Sequence, residues 1–342
     1  MLNAVLFGEI MLRLKSPGFE RILQSPLFEV TMAGAEANVA VALSRFGHDA
    51  SFVTAVPENA VGQAVADELR KHGVDVSRIR RSGSRLGVYY LEAGADRRPA
   101  KVIYDRARSS IAEAAPGDFD WKTIFSGKSL FFSTGITPAL SEGAAALLLE
   151  AMTEARKQGL RVAFDINLRR NLWPDDETMI AAHRRLMPQV DILIGNEGHF
   201  ATCLGMTASV DEQAIYDDPG AYRAMADELF AAWPNLSKIG ISVRKTQSAE
   251  RQAVACVLAE RDGLWPSRVY AMERIVDRVG GGDCLTAGLL HGLVAFAARE
   301  EAVEFAAAAS CLKHSIPGDF CRFSVEETLA VAQGAARGRD QR

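Results

Sequence analysis

Short apolar stretches alternate with helix-period stretches along most of this chain, and that alternation restricts the fold more than any other feature of the sequence. Ala4-Val5-Leu6-Phe7 is strand-like and runs into Gly8. Ala35–Phe46 has helical spacing and is closed by Gly47, and a strand pattern follows at Ser51–Ala55. The signals then recur: a helix at Val61–Lys71 ended near Gly73, a strand at Leu130–Ser133, a helix from Ser141 to Lys157 stopped by Gly159, and a strand at Arg161–Asp165. Further strands are predicted at Asp191–Gly195 and Lys238–Val243. Such alternation implies βαβ units, hence an α/β fold with a mainly parallel sheet and helices on both faces. Two regions break the rhythm. Gly87–Glu92 and Lys101–Tyr104 predict short strands around a Gly/Arg/Pro turn, and with Arg13–Val30 they predict a small β-sheet projecting from the main domain.

Within that frame Asp277-Arg278-Val279-Gly280-Gly281-Gly282-Asp283 stands apart. Consecutive glycines strip side chains from a turn, and Leu285, Leu289, Leu290 and Leu293 then recur at helical spacing, so a helix begins here. Bare N–H groups at a helix N-terminus attract anionic oxygens, and the helix dipole reinforces them. A carboxylate beside such a site is suited to act as a base next to a phosphoryl group; the same residues also suit a plain glycine-rich turn with Asp283 as N-cap. Ligands of open α/β sheets bind outside the carboxyl ends of the strands. Polar residues fall at those predicted ends in Asp165-Ile166-Asn167-Leu168-Arg169, Asn196-Glu197 and Ser242-Val243-Arg244.

Several classes are excluded. A net charge of −4 over 342 residues argues against a nucleic-acid surface, and the densest basic cluster, Arg78, Arg80, Arg81 and Arg85, has no interleaved aromatics. Hydrophobic residues at 48% and charged residues at 24% are the balance of a globular protein with a large core. The five cysteines are widely spaced and form no zinc-ligand pair, which suits a reducing compartment. Met1 leads straight into a strand pattern, and no apolar run reaches membrane-span length, so a cytoplasmic protein without a membrane partner is expected. Gly127-Lys128-Ser129 mimics the end of a P-loop, but Lys122 stands where the first glycine is needed and the triplet precedes a strand. The six histidines are scattered.

The residues also carry a resemblance. Gly280-Gly281-Gly282-Asp283 within Asp277–Gly288 resembles the C-terminal signature of the ribokinase-like (PfkB) carbohydrate kinases, and Ala33-Gly34-Ala35-Glu36-Ala37-Asn38-Val39-Ala40 resembles their N-terminal glycine signature. Within the family the chain is most similar to 2-keto-3-deoxygluconate kinases, through Gly34–Asn38, Tyr104-Asp105-Arg106 and Asp165–Arg169. The resemblance implies a ribokinase-like αβα sandwich with a mainly parallel central sheet and a small β-sheet lid. It implies one kinase domain over residues 1–335, lid strands drawn from residues 11–30 and 85–106, and a frayed tail at 336–342. ATP and Mg²⁺ are the implied co-substrates, with transfer of the γ-phosphoryl to a hydroxyl of a small sugar acid.

Carried over by position, Asp283 is the base, kept ionised by the helix dipole, and the N–H groups around Gly280, Gly281, Gly282 and Asp283 are the anion hole. Gly34, Asn38, Tyr89, Tyr104, Arg106, Asn167, Arg169 and Asp277 are expected at the sugar, the two arginines matching a carboxylate through the guanidinium fork. Asn196, Ser242, Arg244, Gly280 and Gly282 are expected at ATP. The family's Asn-x-x-Glu motif appears here as Asn196-Glu197-Gly198-His199, which leaves Glu197 as the expected organiser of the Mg²⁺ waters. A fructokinase-like neutral-sugar kinase and a degenerate sugar-acid-binding member without phosphotransfer are the alternatives. An apolar lid sheet that needs covering implies a homodimer through the lid.

Overall fold

In the computed structural model, which describes residues 1–207, 210, 213–214, 218 and 220–334, the central sheet is built around β1 (Asn3–Phe7). On one side β1 pairs in parallel with β4 (Asp49–Val56), which pairs with β5 (Ile79–Arg81). On the other side lie β8 (Leu130–Thr134), β9 (Arg161–Asp165), β10 (Ile192–Gly195) and β11 (Lys238–Thr246), all parallel. An antiparallel margin follows: β12 (Gln252–Glu260) pairs with β11, β13 (Gly263–Pro266) and β14 (Tyr270–Met272). The alternation of side chains along β1 explains the layering. Ala4 and Leu6 enter one core with the helices Ala35–Arg45 and Gly281–Ala295, whereas Val5 and Phe7 enter the other with the helix Glu142–Lys157. Both faces of β1 are therefore covered, as a parallel sheet requires.

The expected helix ends hold for chemical reasons. Asn59 and Ser141 cap helix N-termini by accepting backbone N–H groups. Gly47 and Gly159 take φ of +83° and +81° just beyond their helices. One strand is longer than expected: β11 continues past Val243 to Thr246 because its pairing with β12 runs on to Thr246 opposite Gln252. That extension places Arg244 on a rigid strand.

The small sheet is separate and ordered β3 (Glu29–Ala33), β2 (Met11–Lys15), β6 (Gly87–Glu92), β7 (Lys101–Asp105). Residues 16–28, inside the range expected for lid strands, contain turns and no strand. Met11, Ala33, Tyr89 and Leu91 form a small apolar layer on its inner side, while Val30, Val102 and Ile103 are exposed. Residues 336–342, where a frayed tail is expected, lie outside the described residues, as does residue 335.

Candidate active site

A cavity of about 460 Å³ lies between the inner face of the lid and the carboxyl ends of the parallel strands. Its floor is the glycine turn. Gly280 adopts φ +83°, and a Cβ there would stand 2.3 Å from the Asp319 carbonyl oxygen. A Cβ at Gly281 would stand 2.3 Å from Cε1 of His314. Both positions therefore require glycine, one by conformation and one by space. The helix begins at Gly281 with Gly280 as its uncapped N-terminus, and the Cys284 N–H is the first to bond back, to the Gly280 carbonyl at 2.9 Å. The N–H groups of Gly281, Gly282 and Asp283 thus precede the helical ladder and face a partner from outside it.

Asp283 belongs to the first turn rather than the N-cap, and it lines the cavity. Asn38 Nδ2 donates to its Oδ2 at 2.6 Å, which fixes the carboxylate. Burial pushes the Asp283 pKa from 3.8 up to about 6, with the Asn38 bond and Arg169 opposing. The ionisation expected from the helix dipole meets an opposing effect: desolvation raises the group, and a pKa of about 6 still leaves the carboxylate mostly ionised at neutral pH. Asp165, at the end of β9, is pushed by burial and then by Asp283 to about 7, so two carboxylates share one end of the cavity. Asn167, two residues on, takes φ +37° and donates its N–H to Asp165 Oδ1 at 2.9 Å. Asparagine tolerates this region better than most residues.

Basic groups line the other wall. Arg169, Arg244 and Arg278 all border the cavity, and none is paired with a carboxylate among the described residues. Burial lowers the Arg244 pKa, and Arg278 and Arg169 add like-charge repulsion. The Arg244 Nη2 lies 3.9 Å from where a Gly282 Cβ would be, beside the helix N-terminus. His199 lies on the same wall and is held neutral, lowered to about 4 by burial and by Arg169 and Arg244. Three cavity-lining guanidiniums, with Asp283 acting on two of them from beyond ion-pair distance, are costly unless an anion completes them.

Arg106 is more committed than expected. Its Nε and Nη2 donate to Glu9 Oε2 at 2.8 and 2.5 Å, and Ser109 Oγ donates to Glu9 Oε1 at 2.6 Å. Nη1 remains, buried and without a partner among the described residues. Tyr104 lies 4.9 Å from the Arg106 guanidinium by its ring centroid. Tyr89 lines the cavity too, but its hydroxyl donates to Asp319 at 3.0 Å.

Most expected site residues meet on this cavity: Tyr89 and Tyr104 from the lid strands with Arg106 just beyond, and Gly34, Asn38, Asn167, Arg169, Asn196, Ser242, Arg244, Gly280, Gly282 and Asp283 from the main domain. Three do not line it. Gly281 lies against the His314 ring. Glu197 stands in the first turn of the helix Glu197–Leu204, whose N-cap, Asn196, does line the cavity. Asp277 is the correction of substance. It is a buried ion-pair partner of Arg13, it accepts the Gly318 N–H at 3.0 Å, and Arg13 also reaches Asp319 at 2.5 Å. Arg13 is on β2, so these pairs fasten the lid to the segments flanking the turn. Glu9, Arg278 and Asp319 border the cavity and were not among the expected ligands. Glu9 had one signal, its place just beyond the end of β1.

The architecture is the ribokinase-like α/β fold, with its cavity between sheet and lid. Residues 1–319 match the description pfkB family carbohydrate kinase. The chain is 32% identical to a 2-dehydro-3-deoxygalactonokinase of Haloferax volcanii, over 98% of each chain. It is 28% identical to a 2-dehydro-3-deoxygluconokinase of Bacillus subtilis, over 98% of this chain and 97% of that one. The solved structure of a 2-dehydro-3-deoxygluconokinase from Thermotoga maritima superimposes with a TM-score of 0.92 at 42% identity, covering 98% of this chain and 100% of that one. The chain belongs to the pfkB family of carbohydrate kinases.

Proposed function

We propose that this carbohydrate kinase transfers the terminal phosphoryl group of ATP to a hydroxyl of a small sugar acid, with 2-keto-3-deoxygluconate as the leading acceptor and its galactonate epimer close behind. The observation that carries this reading is the division of charge in one cavity. Among the described residues Arg169, Arg244 and Arg278 form no ion pair with a carboxylate, and Arg106 presents its remaining Nη1 from the lid side. A neutral sugar gives such guanidiniums no counter-charge, whereas a carboxylate and a polyphosphate do.

Asp283 accepts the proton of the attacking hydroxyl, and Asn38 holds that carboxylate in place. The N–H groups of Gly281–Asp283, with Arg244, receive charge that develops on the transferred phosphoryl oxygens. Phosphoryl transfer asks the protein chiefly for such positioning and charge neutralisation. Arg169, Arg106, Tyr104, Asn167 and Gly34 hold the acceptor; Asn196 and Ser242 extend the nucleotide side. Asp277 keeps a supporting role through Arg13.

Among the described residues no group of three or more His, Cys, Asp or Glu could hold a metal ion. Magnesium bound to the nucleotide keeps most of its waters and would supply charge neutralisation there; Glu197 is the candidate for ordering those waters. No helix among the described residues is long and apolar enough to cross a membrane. Exposed Val30, Val102 and Ile103 on the lid support a homodimer through that sheet.

An acceptor panel tests the reading by ADP release: 2-keto-3-deoxygluconate, 2-keto-3-deoxygalactonate, gluconate, fructose and ribose. The keto-deoxy acids should exceed the neutral sugars in kcat/KM by at least about 100-fold, since a site built around charged hydrogen bonds rejects analogues that leave them unpaired. Equal turnover of fructose would overturn the acceptor assignment and leave the kinase assignment standing.

A further inference from the structure

Directly behind the glycine turn lies a charge that the site as described leaves unused. Lys313, the last residue of the helix Arg299–Lys313, has 0% of its surface exposed. Its Nζ donates to the Ile316 carbonyl oxygen at 3.1 Å, and it joins no ion pair among the described residues. Burying an ammonium without a paired carboxylate is among the costlier things a fold can do, so its position calls for a reason.

The surroundings supply one. A Cβ at Gly280 would stand 3.2 Å from Lys313 Cε, so the lysine stem packs against the first residue of the turn. Burial raises Asp283 and Asp319; Asn38 and Arg169 oppose it most at Asp283 and Arg13 at Asp319, and the Lys313 charge adds a smaller lowering at both. The other groups around Asp283 come from separate elements. Asn38 donates to it from the helix Ala35–Arg45, Arg169 attracts it from beyond β9, and Arg244 faces it from β11. Asp319 and Asp165 oppose its ionisation. Two carboxylates and desolvation thus push one way, and the arginines, Asn38 and Lys313 push the other. Of these opposing groups, Lys313 is the one with no open surface, so neither solvent nor a departing ligand changes its contribution.

We propose that Lys313 is the built-in counter-ion of the catalytic turn: its fixed ammonium, seated beneath Gly280, keeps the Asp283 carboxylate ionised as a base at neutral pH. This rests on the reading of Asp283 as the proton acceptor, and it makes Lys313 a positioning residue that acts through Asp283.

Lys313→Met removes the charge and keeps an unbranched stem of similar length. In ¹³Cγ-aspartate NMR of the apo protein, the Asp283 midpoint should rise, by less than the roughly one unit or more that a charge in direct contact produces. The acid limb of kcat should move upward with it. A merely structural role would lower the melting temperature or kcat at all pH values without moving either midpoint. A movement of less than about 0.3 unit would overturn the proposal, being far below what a neighbouring charge produces. Should the variant not fold, Lys313→Gln, which removes the charge and keeps a donor for the Ile316 carbonyl, is read in the same way. Both spectra are read without substrate. An enzyme that phosphorylates no sugar would sink the functional reading, and the NMR result would still decide the Lys313–Asp283 coupling.

Discussion

Replacing Asp283 by asparagine should make the enzyme inactive and more stable at once. Burial raises the Asp283 pKa from 3.8 to about 6. A carboxyl group raised in the folded state stabilises the fold only while protonated. The cost of ionising it is therefore absent below pH 3.8 and fully present above about pH 6. At 1.36 kcal/mol per pKa unit the ionised form costs about 3 kcal/mol, and partial opening to the cavity reduces this to about 2. An asparagine at this position keeps the shape and still accepts from Asn38 through its carbonyl oxygen, so Asp283→Asn should recover most of that. Unfolding entropy near 2.1 cal/mol/K per residue over 342 residues turns about 2 kcal/mol into a rise of about 3 °C in Tm. Calorimetry of the apo enzyme at pH 7.5 and pH 4 reads it: the gain should appear at the higher pH and fall to a small fraction at the lower. Over the same change kcat should fall by about two to four orders of magnitude, the range for losing a general base. A variant no more stable at pH 7.5, or one within tenfold of wild-type kcat, would refute the reasoning.

Two further outcomes separate the acceptor side from the nucleotide side. Arg169→Lys should raise KM for a keto-deoxy sugar acid by at least about tenfold, because a point charge cannot replace a bidentate contact; Arg106→Lys should do the same and also lower Tm, since it loses the fork held by Glu9. If Glu197 orders the waters of nucleotide-bound magnesium, Glu197→Gln should raise the Mg²⁺ concentration for half-maximal activity more than His199→Ala does, and the reverse ranking in a Mg²⁺ titration would reassign that role.

Much of this fold was legible because its signals are local. Apolar runs of strand length, the helix start at Ser141, and the glycines closing helices each act within a few residues. The strand-end rule likewise led to Asn167, Arg169, Asn196, Ser242 and Arg244, all of which border the cavity. What stayed hidden depends on partners distant in sequence. Asp277 sits beside the signature turn yet answers to Arg13, 264 residues away. Glu9 takes up two nitrogens of Arg106 from 97 residues away, and no pattern near either residue announces that pairing. Lys313 ends an ordinary amphipathic helix, and only the closure of the fold turns its last side chain inward beneath Gly280. Periodicity shows which face of a helix is buried; it does not show which charge that face will meet.

The most direct test of the central claim is ³¹P NMR of wild-type enzyme with ATP, Mg²⁺ and 2-keto-3-deoxygluconate, run beside Asp283→Asn. The wild type should convert the γ-phosphate resonance into a phosphomonoester on the sugar acid with one ADP formed per ester, and the variant should leave ATP unchanged over the same period. Release of inorganic phosphate alone, or ester formation at equal rates by both proteins, would contradict it.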